Sequence, residues 1–479
     1  MYTREEKSVK GKHQYSANAV ALAKGPQLQC RRAEWYNRYG LGRHFGLGSK
    51  MDLRKRLERL GVHRGIIVGQ TAQTRPPKAS ESPLESLVDG TWVTSPGGRC
   101  FVAERLYPFD HRHGALSLSD ILAVSAEEWS QFTAGLGGQG LDPRQAVFLD
   151  VETTGMAWGT GTYAFLVGLG FFQEGGFLLR QYFMPDYADE EALLDLVAAS
   201  LASCGHLITF NGRSFDWPIL EARYVLAQRE PPCHGATNLD LLLWSRRLWR
   251  RSLPSCALSA LETAVLSVAR EGCDVPGFLI PELYQDYVRY GRTRPMQRVF
   301  YHNAMDLLSM VVLAARIGQA LLSPSRREPD PLCDYLSLGA FYERIGWMEE
   351  AICAYQVATE GDSRRQEALR QLAFLFKRVG RYDEAVHIWE TCLDGDELYP
   401  YIELAKHFEH RLRDYEEAKR IIHEALAWLN ARHHLLHRSE YRRVTIDLEH
   451  RLKRVEKHII SSVGQDNSPG GKLGGPSLG

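Results

Sequence analysis

Residues 148–155 read FLDVETTG. Ala146–Val151 is an apolar run of strand type, yet two acids, Asp150 and Glu152, stand two residues apart at its end. Alternation along a strand points both carboxylates to one face. An unpaired carboxylate is costly to bury, so acids in such a run call for a counter-charge. A divalent cation removes that cost, and hard cations such as Mg2+ or Mn2+ prefer carboxylate oxygens.

Working outward, Tyr163–Phe172 and Phe177–Phe183 are two more strand-type runs, joined by the turn Gln173-Glu174-Gly175-Gly176. Glu190–Ser203 predicts a helix, His206–Phe210 a buried strand and Phe215–Gln228 a second helix. The order β-β-β-α-β-α implies an α/β fold whose mixed sheet opens with adjacent hairpin strands. A purely parallel doubly wound sheet would alternate strand and helix from its start. A third acid, Asp216, follows the fourth strand through Asn211-Gly212-Arg213-Ser214-Phe215 and falls at a helix start. A fourth, Asp306, lies in a helix predicted over Tyr301–Gln319. His302 precedes it by four residues and shares its face, whereas Tyr301, at five, is rotated away. Asp240, ending Asn238-Leu239-Asp240 before an apolar helix, reads as a helix cap.

FLDVETTG (148–155), FNGRSFDWPIL (210–220) and YHNAMDLLSM (301–310), in that order, resemble the three motifs of the DEDD, DnaQ-like 3′–5′ exonuclease superfamily. LWSRRLWRRSLPSC (243–256) and DVPGFLIPELY (274–284) are similar to its YprB-like branch, in which tetratricopeptide repeats follow the nuclease domain. The resemblance covers roughly residues 84–425. It implies a ribonuclease-H-like mixed sheet with flanking helices, and two divalent ions, Mg2+ or Mn2+, bound by Asp150, Glu152, Asp216 and Asp306. It implies nucleic acid as substrate, DNA or RNA, attacked from a 3′ end. Thr153, Asn211, Gly212 and Arg213 would lie beside the scissile nucleotide, although Asn211-Gly212 reads equally well as a tight turn. Superfamily members carry a histidine five residues before the last acid or a tyrosine four before it. Here the residue types are exchanged. Histidine is a residue type that can exchange a proton near neutral pH, and His302 lies on the Asp306 face, which favours it as the general base over Tyr301.

The last third changes character. LGAFYERIGWMEEAICAYQVA (338–358) and LAFLFKRVGRYDEAVHIWETC (372–392) repeat with a 34-residue period, and LAKHFEHRLRDYEEAKRIIHEA (404–425) fits with one inserted residue before Ala418. That period, with small residues where helices cross, resembles the tetratricopeptide repeat. Such an array offers a surface for a protein partner or for the substrate strand.

The reading divides the chain into a disordered tail (1–50), a small region with a helix and strands (51–140), the exonuclease domain (141–322), the repeats (331–460) and a Gly/Ser/Pro-rich disordered tail (462–479). A net charge of +0, from 58 basic and 58 acidic residues, argues against a non-specific basic coat on nucleic acid. Residues 140–320 carry 15 Arg, no Lys and 19 acids, so setting the four candidate ligands aside leaves the region neutral. Cations held by those ligands would supply the positive charge a phosphodiester needs. Nine cysteines without a CxxC pair fit neither a zinc ribbon nor a disulfide framework, and a reducing cytoplasm is the simplest compartment. No run of 18 apolar residues marks a membrane span. Gly159-Thr160-Gly161 lacks the Gly-Lys-Ser/Thr of a phosphate loop. His111 and His113, without further ligands nearby, read as structural. Trp244, Arg246, Arg247, Trp249, Arg250 and Arg251 fit either base stacking or a helix with its tryptophans turned inward. Two rival functions stand beside the exonuclease: a non-cleaving nuclease fold acting as a binding scaffold, and a phosphodiesterase for small nucleotides.

Overall fold

The computed structural model describes residues 82–466, apart from 135–139, 156–160, 234, 271, 273, 323–328, 362–363, 394 and 436. The expected tail 1–50 and the first part of the region expected over 51–140, residues 51–81, lie outside the described residues, as do residues 467–479.

Nine strands form two sheets among the described residues: β1 (Thr91–Ser95), β2 (Gly98–Tyr107), β3 (Arg112–His113), β4 (Leu116–Ser117), β5 (Val147–Thr153), β6 (Ala164–Gln173), β7 (Gly176–Phe183), β8 (His206–Thr209) and β9 (Thr237–Asp240). Seven of them make one mixed sheet in the order β1-β2-β7-β6-β5-β8-β9. From β1 through to β5 each neighbour runs antiparallel, and β8 and β9 then add in parallel. The expectation that the first hairpin belongs to a separate region ending at residue 140 is therefore corrected. β2 pairs with β7 along its length, from Phe101 opposite Phe183 to Tyr107 opposite Phe177. An isolated hairpin is marginal in water, and this one gains stability by covering what would otherwise be the exposed edge of β7.

Helices α1 (Ala126–Ala134), α2 (Glu190–Leu201), α3 (Asp216–Leu226), α4 (Leu241–Trp249), α5 (Ile280–Tyr290) and α6 (Arg294–Leu321) surround the sheet. α6 begins earlier than the sequence pattern indicates, with Pro295 in its first turn, where a missing N–H is harmless. By length and composition α6 could cross a membrane, but 78% of its apolar window is buried inside the fold. It is a core helix, lying against β5, β6 and β7.

Three helix pairs follow: α7 (Tyr335–Ile345) with α8 (Met348–Thr359), α9 (Arg365–Val379) with α10 (Tyr382–Thr391), and α11 (Tyr399–His407) with α12 (Tyr415–Ala431). The first two pairs turn at Gly346 and Gly380, both in the left-handed region (φ 86° and 87°) that glycine reaches without strain. In the third pair Arg413 takes that conformation at φ 57°. The inserted residue of this copy is absorbed just before it, where α11 widens into one π-helical turn, Phe408–Leu412. Helix α13 (Arg438–Asp466) closes the array and continues five residues into the segment expected to be a disordered tail.

The helix pairs do not stand apart from the sheet. Trp244 on α4 meets Phe341 on α7 edge to face at 5.1 Å, the Asp334 amide donates to the Leu248 carbonyl at 2.7 Å, and Phe132 packs on Trp347. The dense Trp/Arg stretch thus takes the inward alternative. Trp244 and Trp249 are buried, Arg247 lies over Trp244 and Phe341, and Arg246, Arg250 and Arg251 are exposed.

Candidate active site

Asp150 and Glu152 alternate along β5 with buried Leu149 and Val151, so both carboxylates project from the face opposite those side chains, half-buried. Asp150 sits opposite Gly168 of β6, and Gly168 opposite Gln181 of β7. Asn303 of α6, fully buried, lies over this row. Its Nδ2 donates to Asp150 Oδ2 at 2.7 Å, and its Oδ1 accepts from Gln181 Nε2 at 2.8 Å. A Cβ on residue 168 would overlap the Asn303 amide, so glycine at mid-strand is what lets α6 come this close.

Asp216 arrives from the neighbouring strand. After β8, Asn211 turns the chain at φ 63° and its amide donates to Asp240 Oδ1 at 2.8 Å. The same carboxylate oxygen caps α4 through the Leu242 amide at 3.0 Å, as a capping role for Asp240 requires. Gly212 follows so tightly that a Cβ there would meet Asp216 Oδ2 at 2.5 Å and Thr209 Cβ at 2.6 Å. Asn211 and Gly212 therefore build the turn that delivers Asp216. Thr153, beside a register shift at Glu152, donates its hydroxyl to the Gly155 carbonyl at 2.9 Å, and Arg213 is exposed.

The four acids form one electrostatic unit. Burial, followed by the charges of Asp306 and Asp216, holds the Asp150 carboxyl well above its ordinary value. Burial and the charges of Asp150, Asp306 and Asp216 do the same to Glu152. Burial pushes Asp216 up to about 7, with help from Asp240 and Asp306. Asp306 is raised by burial, while His302 and Arg270 pull it back. Like charges close together in a poorly solvated site disfavour ionisation in this way.

His302 Nδ1 lies 2.8 Å from Asp274 Oδ1, and its Nε2 lies 3.7 Å from Asp306 Oδ2. An ionised carboxylate can only accept, so contact at that distance puts a proton on Nδ1 and leaves Nε2 as the nitrogen that faces Asp306. Burial pushes the Asp274 carboxyl up, but the His302 hydrogen bond and charge, the Val275 amide and Arg270 outweigh it and leave it lowered. Tyr301 points elsewhere on α6, close enough to Tyr107 to add slightly to the rise that burial causes in that phenol. Of the two residues weighed as base, His302 is thus the one brought to Asp306.

Three participants were not read from the sequence: Asn303, Asp274 and Arg270. Arg270 donates through Nη2 to Asp306 and to Glu262 (2.5 Å), and through Nη1 to Asp274 at 3.1 Å. Gly168 inside a strand and Asn303 on a buried helix face were the available signals for the first. Nothing local marks Arg270.

The donor set suits a hard divalent cation. It offers carboxylate oxygens only, and among the described residues Asp150, Glu152 and Asp216 have no basic partner within ion-pair distance. Among the described residues no three acid, histidine or cysteine side chains are already gathered into a coordination shell. His113 shares in no such cluster. It is buried, with Nε2 2.8 Å from Ser309 Oγ, and has a structural role.

Residues 147–317 match the RNase_H superfamily. The uncharacterized protein YprB of Bacillus subtilis (strain 168) is 29% identical over 336 residues, 68% of this chain and 80% of that protein. A solved family B DNA polymerase from the hyperthermophilic archaeon Pyrobaculum calidifontis aligns over 57% of this chain and 50% of its own, at 11% identity and a TM-score of 0.28, too low to argue from. Over residues 147–317 the chain is thus similar to the RNase_H superfamily, and a helical region follows.

Proposed function

We propose that the chain is a metal-dependent nuclease that hydrolyses phosphodiester bonds of DNA or RNA, working as a 3′–5′ exonuclease. The observation that carries this reading is the convergence of Asp150, Glu152, Asp216 and Asp306 beside a histidine oriented by Asp274. Two divalent ions, Mg2+ or Mn2+, held by the four acids would supply Lewis acidity at the attacking and leaving oxygens. The chain's own residues do the rest. His302, its ring oriented by the Nδ1–Asp274 contact so that Nε2 faces Asp306, accepts the proton of the attacking water at Nε2. Asn303 fixes the rotamer of Asp150, and Gly212 seats Asp216. Thr153, Asn211, Gly212 and the exposed Arg213 lie on the substrate side, where Arg213 offers a charged contact to phosphate. The helix pairs are read as tetratricopeptide repeats that recruit a protein partner or guide the strand. A reducing, cytoplasmic setting belongs to the same reading, since the described cysteines are all free thiols.

The test is incubation with end-labelled single- and double-stranded DNA and RNA in Mn2+, Mg2+ or EDTA. The expected result is metal-dependent shortening of at least one substrate from its 3′ end. Cleavage only inside the strand would replace exonuclease by endonuclease. No cleavage of any polymer, with hydrolysis of a bis(p-nitrophenyl) phosphate, would favour a small-nucleotide phosphodiesterase.

A further inference from the structure

The Trp/Arg stretch buries its tryptophans and leaves its arginines at the surface. Leu243, Arg246 and Arg250 are exposed at spacings of three and four, one stripe of α4 and the residue that follows it, with half-buried Arg247 at its margin. The stripe starts at the candidate site, because Asp240, which caps α4, accepts the Asn211 amide, and exposed Arg213 stands two residues beyond Asn211. α4 also lies on the sheet face that carries the acids. Phe148 shares that face with Asp150 and Glu152 by strand alternation, and it is buried in the same core as Leu241, Trp244 and Leu248. At about 1.5 Å per residue, Arg250 lies roughly 15 Å beyond the cap.

The far end of the stripe meets the first helix pair. Arg247 and Arg344 of α7 both lie over the ring of Phe341, with Cζ 5.2 and 5.6 Å from its centroid. Burial, followed by the charge of Arg344, lowers the Arg247 guanidinium below its ordinary value. The neighbouring carboxylates are already engaged: Asp334 by Arg251 at 3.0 Å and Arg364 at 3.5 Å, and Glu343 by Arg378 at 2.6 Å. Among the described residues, Arg246, Arg247, Arg250 and Arg344 have no carboxylate within ion-pair distance. A row of uncompensated guanidinium groups is stabilised by anions, and their planar forks match phosphate oxygens.

We propose that Arg246, Arg247, Arg250 and Arg344 form a phosphate track that carries the single strand trailing the 3′ end along α4 to the first helix pair. The inference rests on the reading that nucleic acid is the substrate, and it gives that strand a route. Trp244, Trp249 and Phe341 are buried, so these residues offer no ring for a base to stack on. The track therefore holds phosphates and reads no sequence.

The experiment is fluorescence anisotropy of the full chain with 5′-labelled oligothymidylates of about 4 and about 16 nucleotides, which bracket the site sizes of single-strand binding surfaces. EDTA is present so that nothing is cut. Wild type should bind the longer strand at least roughly tenfold more tightly, and less tightly as salt rises. Arg246→Gln/Arg250→Gln and Arg247→Gln/Arg344→Gln should each weaken that binding by roughly tenfold and flatten its log–log salt dependence by about 0.7 per arginine lost. Arg247 packs on Trp244, so the exposed Arg246/Arg250 pair keeps the test independent of folding. Equal affinity of wild type for the two lengths, or unchanged affinity and salt slope in both double variants, overturns the track. Wild type is also given the short strand in Mn2+. Its hydrolysis beside a failed binding result overturns the track alone, whereas length-dependent binding without any hydrolysis overturns the nuclease reading alone.

Discussion

Asp274 holds Nδ1 of His302 at 2.8 Å and thereby turns Nε2 to within 3.7 Å of Asp306. A base beside a carboxylate, oriented by a second carboxylate, is the arrangement that general-base catalysis needs. His302→Ala is expected to lower hydrolysis by on the order of 10²–10⁴-fold. Asp274→Ala should lose a substantial part of that factor, because the ring can then rotate or take the other tautomer. Tyr301→Phe should stay close to wild type. Rates of the three variants in Mn2+ check this, and inactivity of Tyr301→Phe alone would reverse the assignment.

The row Asp150–Gly168–Gln181 leaves room for one amide and no more. Gly168→Ala drives a methyl into Asn303, and overpacking of this kind costs about 1–3 kcal/mol. Asn303→Ala removes the partner of Asp150 Oδ2 and one of the two acceptors of the Gln181 amide, at about 1–3 kcal/mol. In the double variant Gly168→Ala/Asn303→Ala the clash is gone, so its loss should be clearly less than the sum. Denaturant melts of the three proteins decide it. Strict additivity would mean that Asn303 does not occupy the space above Gly168.

His113 supplies a pH dependence away from the acids. Burial first, and then His111 and Arg270, push its imidazole down to about 4. A base whose folded value is depressed favours the fold while neutral, so its contribution is complete above the unfolded value near 6.5 and is lost as pH falls towards 4. The size is on the order of 3 kcal/mol. His113→Gln should therefore flatten the loss of stability between pH 6.5 and 4 relative to wild type. Parallel stability curves for the two proteins would contradict the burial described for His113.

The C-terminal helices are tied to the sheet by side-chain contacts. Phe341 and Trp347 are completed by Trp244 and Phe132 of the sheet-bearing part of the chain, and the Asp334 amide donates to the Leu248 carbonyl. A 331–460 fragment should be helical by circular dichroism but melt below, and less cooperatively than, the same helices in the full chain. Trp244→Ala should lower the full-length transition by the several kcal/mol typical of emptying a buried aromatic, about 3–5. Melting of the fragment at the full-length temperature would show that the contact contributes nothing.

Continuous apolar runs made β5, β6, β7 and β8 legible to within two residues, because apolar strands flanked by turn residues are locally determined. β9 escaped notice: Thr237–Asp240 is four residues long with Leu239 its one apolar residue, and its pairing with β8 depends on partners 31 residues away. The hairpin β1–β2 was visible as strands, but not as part of the main sheet, since register against β7 leaves no local trace. At the site, acids at strand and helix ends stood out against apolar surroundings. Arg270, Asp274 and Asn303 did not, because each is an ordinary polar residue until the fold brings it to an acid or to His302. The exchange of Tyr301 and His302 was readable, and helical geometry sufficed to favour His302.

The central claim is that Asp150, Glu152, Asp216 and Asp306 hold divalent ions for phosphodiester hydrolysis. Its most direct test is a time course on a 5′-labelled single-stranded oligonucleotide in Mn2+, with folded wild type beside Asp150→Asn and Asp306→Asn. The account predicts a descending ladder for wild type, none in EDTA, and a rate reduced by at least about a hundredfold in both variants, as expected when a metal ligand of a hydrolytic site is lost. A ladder of equal rate in wild type and Asp150→Asn would contradict it.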